Sequence, residues 1–196
     1  MAQTDGTYGV KLNTDYKDTI TKVIVPSEYN GKPVTTIIES GFSNAVALLE
    51  IELPNTITKI NEYAFNGCNS LESINNNLEK VTSLGVRAFC NCYSLDQEII
   101  FSDSLSSIPK YAFYNCSSIT TITIPANVKS ILDSAFRNSG LTSATFLDTE
   151  GWEYCYNNEV IGPTYYDADM SDPSKAANLL KSNASSSGYY AKFYNS

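Results

Sequence analysis

Apolar positions along this chain fall into register with its phenylalanines. Gly41-Phe42, Ala64-Phe65, Ala88-Phe89, Ala112-Phe113 and Ala135-Phe136 follow one another every 23 or 24 residues. Eight and five residues before each Phe stands an aliphatic side chain: Val34 and Ile37, Ile57 and Ile60, Val81 and Leu84, Leu105 and Ile108, Val128 and Ile131. Three residues after it comes a small one, Ala45, Cys68, Cys92, Cys116 or Ser139, and then an apolar one, Leu48, Leu71, Leu95, Ile119 or Leu141. From that last position the sequence alternates with a period of two, as in Leu48-Leu-Glu-Ile-Glu-Leu53 and Ile119-Thr-Thr-Ile-Thr-Ile124, which predicts a short strand with one buried face. Ile20-Thr-Lys-Val-Ile-Val25 has the same form, so the array starts one strand earlier. Pro26, Pro54 and Pro125 close three of these strands, as residues without an N–H for the ladder should. The third copy departs from the others: Leu95-Asp-Gln-Glu-Ile-Ile-Phe101 holds one extra residue, read as a bulge or widened turn.

A repeat of this length with the pattern L-x-x-I-x-I falls in the leucine-rich-repeat class, whose units cannot bury their apolar faces alone and must stack. The expected fold is of α/β class, a right-handed leucine-rich-repeat solenoid of short parallel strands and brief helical turns around the Ala-Phe pairs. Residues 20–146 would form about five repeats plus the leading strand. Open solenoid ends need covers. Residues 1–19 would supply the amino-terminal cap, with Tyr8, Val10, Leu12 and Tyr16 alternating as a strand. Residues 147–196 would supply the carboxyl-terminal one, rich in Trp and Tyr and including Tyr189, Tyr190, Phe193 and Tyr194. Asp172-Pro173 reads as a helix start leading through Ala176–Leu180, ended by the Ser-rich run 182–188 and followed by a Tyr-bearing strand or coil.

The run of Val-Thr-x-Ile/Leu, then Ala-Phe, then a small residue or Cys, then Leu-x-x-Ile-x-Ile-Pro resembles the BspA-type leucine-rich repeats of bacterial surface and secreted proteins. Val23-Ile-Val-Pro-Ser-Glu-Tyr-Asn-Gly-Lys-Pro-Val34 is similar to the opening of such arrays, and Asp172-Pro-Ser-Lys-Ala-Ala177 with Tyr189-Tyr190 to a capping region found on some. The resemblance implies an extracellular or cell-surface location and an adhesive or host-binding role. The family's motif is structural, so it carries over no catalytic residue.

Composition narrows the chemistry. Of 196 residues 42% are hydrophobic and 17% charged, which excludes a disordered tail, and no run of about 18 apolar residues offers a membrane-spanning helix. A net charge of −8 without a basic cluster argues against nucleic acid and anionic membrane surfaces. There is no His, which removes the usual general base and zinc ligand. The five Cys are odd in number and too sparse for a disulfide scaffold, and Cys90-Asn-Cys92 lacks a metal knuckle's spacer. No metal site, cofactor or catalytic residue is therefore expected. Cys68, Cys92 and Cys116 become neighbours by register, but side chains projecting in parallel seldom meet disulfide torsions, so buried thiols are expected. Met1-Ala-Gln-Thr-Asp-Gly6 is no secretory signal, so a surface location implies a leader already removed.

Candidate binding residues lie on the concave strands, facing solvent along one continuous sheet: Lys22 and Ile24, Glu50 and Glu52, Ser73 and Asn75, Gln97 and Ile100, Thr121 and Thr123, Ser143 and Thr145. A second candidate is the aromatic group Trp152, Tyr154, Tyr156, Tyr165 and Tyr166, set against simple cap packing. Asp148, Glu150, Glu153, Asp167, Asp169 and Asp172 match no EF-hand spacing and read as solvated surface plus one helix cap. Ser107-Ile-Pro-Lys110 matches the S-x-x-K of acyl enzymes only formally, because Pro109 breaks the helix such a pair needs. Asn115-Cys-Ser117 and Asn183-Ala-Ser185 are glycosylation sequons that matter only in a eukaryotic secretory route. The expected function is a protein-binding or adhesion module for a host or matrix protein or a glycan. The alternatives are a structural spacer in a larger surface protein and, third, an enzyme with its site in residues 147–196.

Overall fold

Two rows of short strands and one row of turns run the length of the molecule. The computed structural model describes residues 1–75, 78–158, 162–181 and 188–192, of which 154–158, 162–167 and 188–192 are described through their backbone alone. Tyr8–Val10 forms β1 and Lys22–Ile24 forms β2, and Glu28–Tyr29 (β3) makes a hairpin with Lys32–Ile37 (β4). The repeats contribute β5 (Glu50–Glu52), β6 (Lys59–Ile60), β7 (Ser73–Asn75), β8 (Ser83–Leu84), β9 (Ser107–Ile108), β10 (Thr121–Ile124), β11 (Ser130–Ile131) and β12 (Ser143–Phe146). The first row is β2, β5, β7, then β10 and β12; the second is β1, β4, β6, β8, then β9 and β11, and all repeat pairings are parallel. The fold is thus the stacked solenoid that the period predicts.

Every aliphatic position of the repeat except Leu84, which is half-buried, and every Phe is buried. Phe42, Phe65, Phe89, Phe113 and Phe136 stack as a column with ring centroids 5.2, 5.1, 5.3 and 5.4 Å apart and planes within 15° of parallel. This separation is close to the strand spacing, so one coil advance places ring on ring. The Ala-Phe segments are hydrogen-bonded turns rather than the brief helices expected. The cause lies two residues to either side of each Phe. Ser40, Tyr63, Arg87, Tyr111 and Ser134 before it have φ of 54 to 58°, and Asn44, Gly67, Asn91, Asn115 and Asn138 after it have φ of 57 to 75°. Left-handed residues at both flanks stop a helix from propagating, and Asn or Gly at the second flank accepts that geometry most readily.

The sheets are not continuous, which corrects the expectation of one unbroken concave face. Both rows break around the third repeat. In the second row Asn61, Gly85 and Leu132 donate N–H to Ile37, Ile60 and Ile108 one coil back (2.9, 2.8 and 2.8 Å), whereas Pro109, the equivalent residue of the fourth coil, has no N–H to give. β8 and β9 accordingly do not pair. In the first row the extra residue of 95–101 leaves only isolated bridges, Leu78 with Phe101 and Ile99 with Ile122. The turn row is unbroken: Phe42, Phe65, Phe89 and Phe113 donate N–H to Ala64, Ala88, Ala112 and Ala135 at 2.7 or 2.8 Å.

The ends differ in construction. β1 lies parallel to β4 at the head of the second row, with Tyr8, Val10 and Leu12 half-buried against the core. Tyr16 does not join that strand: it is exposed on a single 3-10 turn, Thr14–Tyr16, because Asn13 caps the turn by accepting the Asp15 N–H. The β3–β4 hairpin turns on Asn30-Gly31, both at positive φ (51° and 71°) as a type I′ turn requires. At the other end Trp152–Asn158 (β13) and Gly162–Asp167 (β14) form an antiparallel hairpin that the repeat reading did not contain. Helix α1 spans Pro173–Lys181, with the Asp172 carboxylate accepting the N–H groups of Ser174 and Lys175 (2.9 and 3.1 Å), and Gly188–Lys192 forms β15. α1 packs on β12 through Ala176, Ala177 and Leu180. β15 runs antiparallel to both β11 and β13, so the cap extends the second row. Residues 182–187 and 193–196, with the helix-ending run, the Asn183 sequon, Phe193 and Tyr194, lie outside the described residues.

Candidate binding surface

Positions that alternate with the buried aliphatics form the outer face of the first row. At its amino end Lys22 pairs with Glu50 at 3.1 Å, and Glu50 also accepts from the Asn75 amide, so three strands are linked edge to edge by one polar chain. Glu52 and Ser73 flank it, each half-buried, and Ile24 is 64% exposed. At the carboxyl end Thr121 lies opposite Ser143 and Thr123 opposite Thr145, a patch of short hydroxyls over buried Ile122, Ile124, Ala144 and Phe146. The two pieces are separate patches, divided by the third coil.

Gln97 belongs to neither patch and is corrected as a solvent-facing residue. Its side-chain oxygen accepts the Ile74 N–H (2.9 Å) and its Nε2 donates to the Ile74 carbonyl (3.1 Å). The carboxamide thus stands in for the strand peptide that the extra residue displaces. Replacement by alanine leaves a donor and an acceptor at buried Ile74 without these partners, so Gln97→Ala is expected to cost about 2 kcal/mol in urea unfolding, and Gln97→Glu, which sets a carboxylate oxygen against the Ile74 carbonyl, at least as much. Beside it Ile100 is 45% exposed.

The aromatic candidate is also corrected in part. Trp152 is 3% exposed, edge-on to Phe146 at 5.1 Å, and its indole N–H donates to the Asp148 carbonyl at 2.9 Å. It covers the end of the core and presents no face to a ligand. Tyr154 and Tyr156 sit on β13 and Tyr165 and Tyr166 on β14; their side chains lie outside the described residues. The turn row carries an aromatic feature that the strand-centred reading missed: the Arg87 guanidinium lies over the rings of Tyr111 (4.7 Å) and Tyr63 (5.8 Å) on the coils either side. Their shared place two residues before Phe is the signal in the sequence.

Chemistry-bearing groups are engaged structurally. Ser107 accepts from the Ser130 hydroxyl (2.7 Å), while the Lys110 ammonium pairs with Asp133 at 2.9 Å, which raises its pKa, so the two do not form an acyl-transfer pair. Asp148 accepts the Glu150 N–H and pairs with Lys129 at 3.9 Å, and Asp169 accepts from Ser171. Among the described residues no group of three His, Cys, Asp or Glu is placed to hold a metal ion, and no helix is long and apolar enough to cross a membrane. Cys68, Cys90, Cys92 and Cys116 are free. Cys68, Cys92 and Cys116 donate S–H to the carbonyls of Phe42, Phe65 and Phe89 at 3.1 to 3.2 Å. Burial pushes the Cys68 thiol up to about 12 and likewise holds those of Cys92 and Cys116 well above the ordinary thiol value, so none is a nucleophile at neutral pH.

The sequence model of the family described as BspA type leucine-rich repeat region matches residues 35–159 in six copies. Among solved structures, a leucine-rich-repeat protein of Treponema pallidum is similar at 29% identity and a TM-score of 0.65, over 74% of this chain and 66% of that one. One from Eubacterium ventriosum is similar at 25% identity and a TM-score of 0.56, over 67% and 34%. A leucine-rich cell surface protein of Faecalibacterium prausnitzii shares the fold at 20% identity and a TM-score of 0.52, over 88% and 59%. The aligned part therefore spans just under two thirds of the Treponema protein and about a third of the Eubacterium one. No curated protein matches the chain.

Proposed function

Because the chain belongs to the BspA-type leucine-rich-repeat family, we propose that it is a surface-displayed binding module that holds a host or matrix protein, or a glycan, on the outer face of its first strand row. The observation that carries this reading is the polar lattice of that face, the Lys22–Glu50–Asn75 chain and the Thr121, Thr123, Ser143 and Thr145 hydroxyls, carried on strands whose opposite sides are locked in the core. Rigidly spaced polar side chains cost little ordering entropy on binding. The cell-surface description of the Faecalibacterium structure supports the location. Among the described residues catalysis has no support in the arrangement, since the thiols of Cys68, Cys90, Cys92 and Cys116 are buried and the Ser107–Lys110 pair is dismantled by its neighbours. The unbroken stack of five Phe rings, which stiffens the solenoid along its length, favours a second role as a structural spacer in a larger surface protein.

The test is biolayer interferometry of the purified chain against a panel of extracellular-matrix proteins, mucins and glycans, beside a Glu52→Lys, Thr121→Lys, Thr145→Lys variant. The wild type is expected to bind at least one member and the variant to bind it tenfold or more weakly. Silence across the panel would leave the spacer role in its place, and binding that the variant retains would move the site off this face to the carboxyl-terminal cap.

A further inference from the structure

The third coil does more than interrupt the sheets. Where the first, second, fourth and fifth coils place Glu52, Asn75, Thr123 and Thr145 at the outer end of the strand, the third places Ile100, 45% exposed. Two coils further on, Leu147 stands where the first and fourth strands are followed by Pro54 and Pro125, and it is 61% exposed. Between them the structure has a groove of about 250 Å³ along the strand ends, walled by Ile100, Phe101, Pro125 and Leu147 and edged by the exposed acids Glu98 and Asp103. The groove runs across the strands, and its apolar ends are two strand spacings, about 10 Å, apart. Scattered single apolar residues on a surface need no explanation, but two that share one groove at the single irregular coil are a different matter.

We infer that this groove takes an extended polypeptide segment in which lysine or arginine residues alternate with aliphatic ones. This rests on the proposed function in so far as the occupant is a protein, and it adds where and by what chemistry. The apolar walls match aliphatic side chains, and the two rim carboxylates, on a chain of net charge −8, match cations rather than anions. An acidic segment would meet like charge at both edges.

The test is an NMR titration of the 15N-labelled chain with three capped hexapeptides, (Lys-Leu)3, (Glu-Leu)3 and (Lys-Gly)3. The first is expected to shift the amides of residues 98–103, Thr123 and Leu147, with neither of the others doing so. Ile100→Ser with Leu147→Ser, both at exposed positions that the core does not use, is expected to weaken (Lys-Leu)3 at least tenfold. Glu98→Gln with Asp103→Asn is expected to weaken it severalfold at low salt and to flatten its salt dependence. No shift at these amides, an equal response to (Glu-Leu)3 or (Lys-Gly)3, or undiminished binding by the Ile100/Leu147 variant overturns the inference. Such a failure leaves the outer-face reading intact, because its own test substitutes none of these residues.

Discussion

Phe89→Ala is expected to lower the unfolding free energy by about 4 kcal/mol, the cost of emptying a fully buried aromatic site, and the melting temperature by about 10 °C. Phe89 is stacked on both faces, against Phe65 at 5.1 Å and Phe113 at 5.3 Å. Its position makes it more than one ring among five. Both strand rows are interrupted around the third coil, so the Phe column and the turn hydrogen bonds, helped by the Ile99–Ile122 bridge, the Cys116–Phe89 bond and Arg87 over Tyr111, join coils one to three with coils four and five. Stability in stacked repeats is close to a sum of unit and nearest-neighbour terms. Weakening this junction should therefore also split the melt into two transitions, seen by calorimetry. Phe42→Ala, which removes a ring with a stacking partner on one side only, should cost less and leave a single transition.

A steep loss of stability in alkali is the second large effect. Burial raises the thiols of Cys68, Cys92 and Cys116 above their ordinary value of 9.0, in Cys68 to about 12. The folded state keeps these groups protonated while the unfolded chain releases its protons above about pH 9. Their contribution is thus fully present below pH 9 and is lost as pH climbs toward the folded values. A thiol that stays protonated only in the folded state contributes a slope of about 1.4 kcal/mol per pH unit above about pH 9, and the three act in the same direction. Urea midpoints across that range should fall accordingly. The Cys68→Ala, Cys92→Ala, Cys116→Ala variant should lack this slope. Ala45 occupies the same place in the first coil, so alanine is compatible with the site. At pH 7.5, alkylation of the folded protein with iodoacetamide should leave all three positions unmodified.

The repeat was legible in the sequence because burial in a stacked coil imposes a fixed residue type every 23 or 24 positions. Val34, Ile57, Val81, Leu105 and Val128 announce one buried column, and Phe42 to Phe136 another. The helix start at Asp172 was equally plain, since N-capping is a local act of one carboxylate on two N–H groups. What escaped was cross-coil: Gln97 repairing the ladder at Ile74 depends on where an extra residue pushes the backbone, which alternation does not encode. The break at Pro109 was within reach, because proline in a donor position predicts it once the coils are aligned. So was the turn geometry, since Asn or Gly stands two residues after each of the five repeat Phe residues. The aromatic cap illustrates the opposite case. Composition leaves docking and cap packing both open at Trp152, and contact with Phe146 decides for the core.

Residue-resolved hydrogen exchange on the free protein tests most directly the claim that the turn row carries the stack through a coil whose strands are interrupted and whose lip is left open for a partner. The amides of Phe65, Phe89 and Phe113, bonded to the next coil at 2.7 to 2.8 Å, should fall together in the slowest class, with that of exposed Asp96 on the irregular strand segment exchanging much faster. If Phe89 exchanged as fast as Asp96, the third coil would be loose on all its sides, and both the junction and the groove built on it would fail.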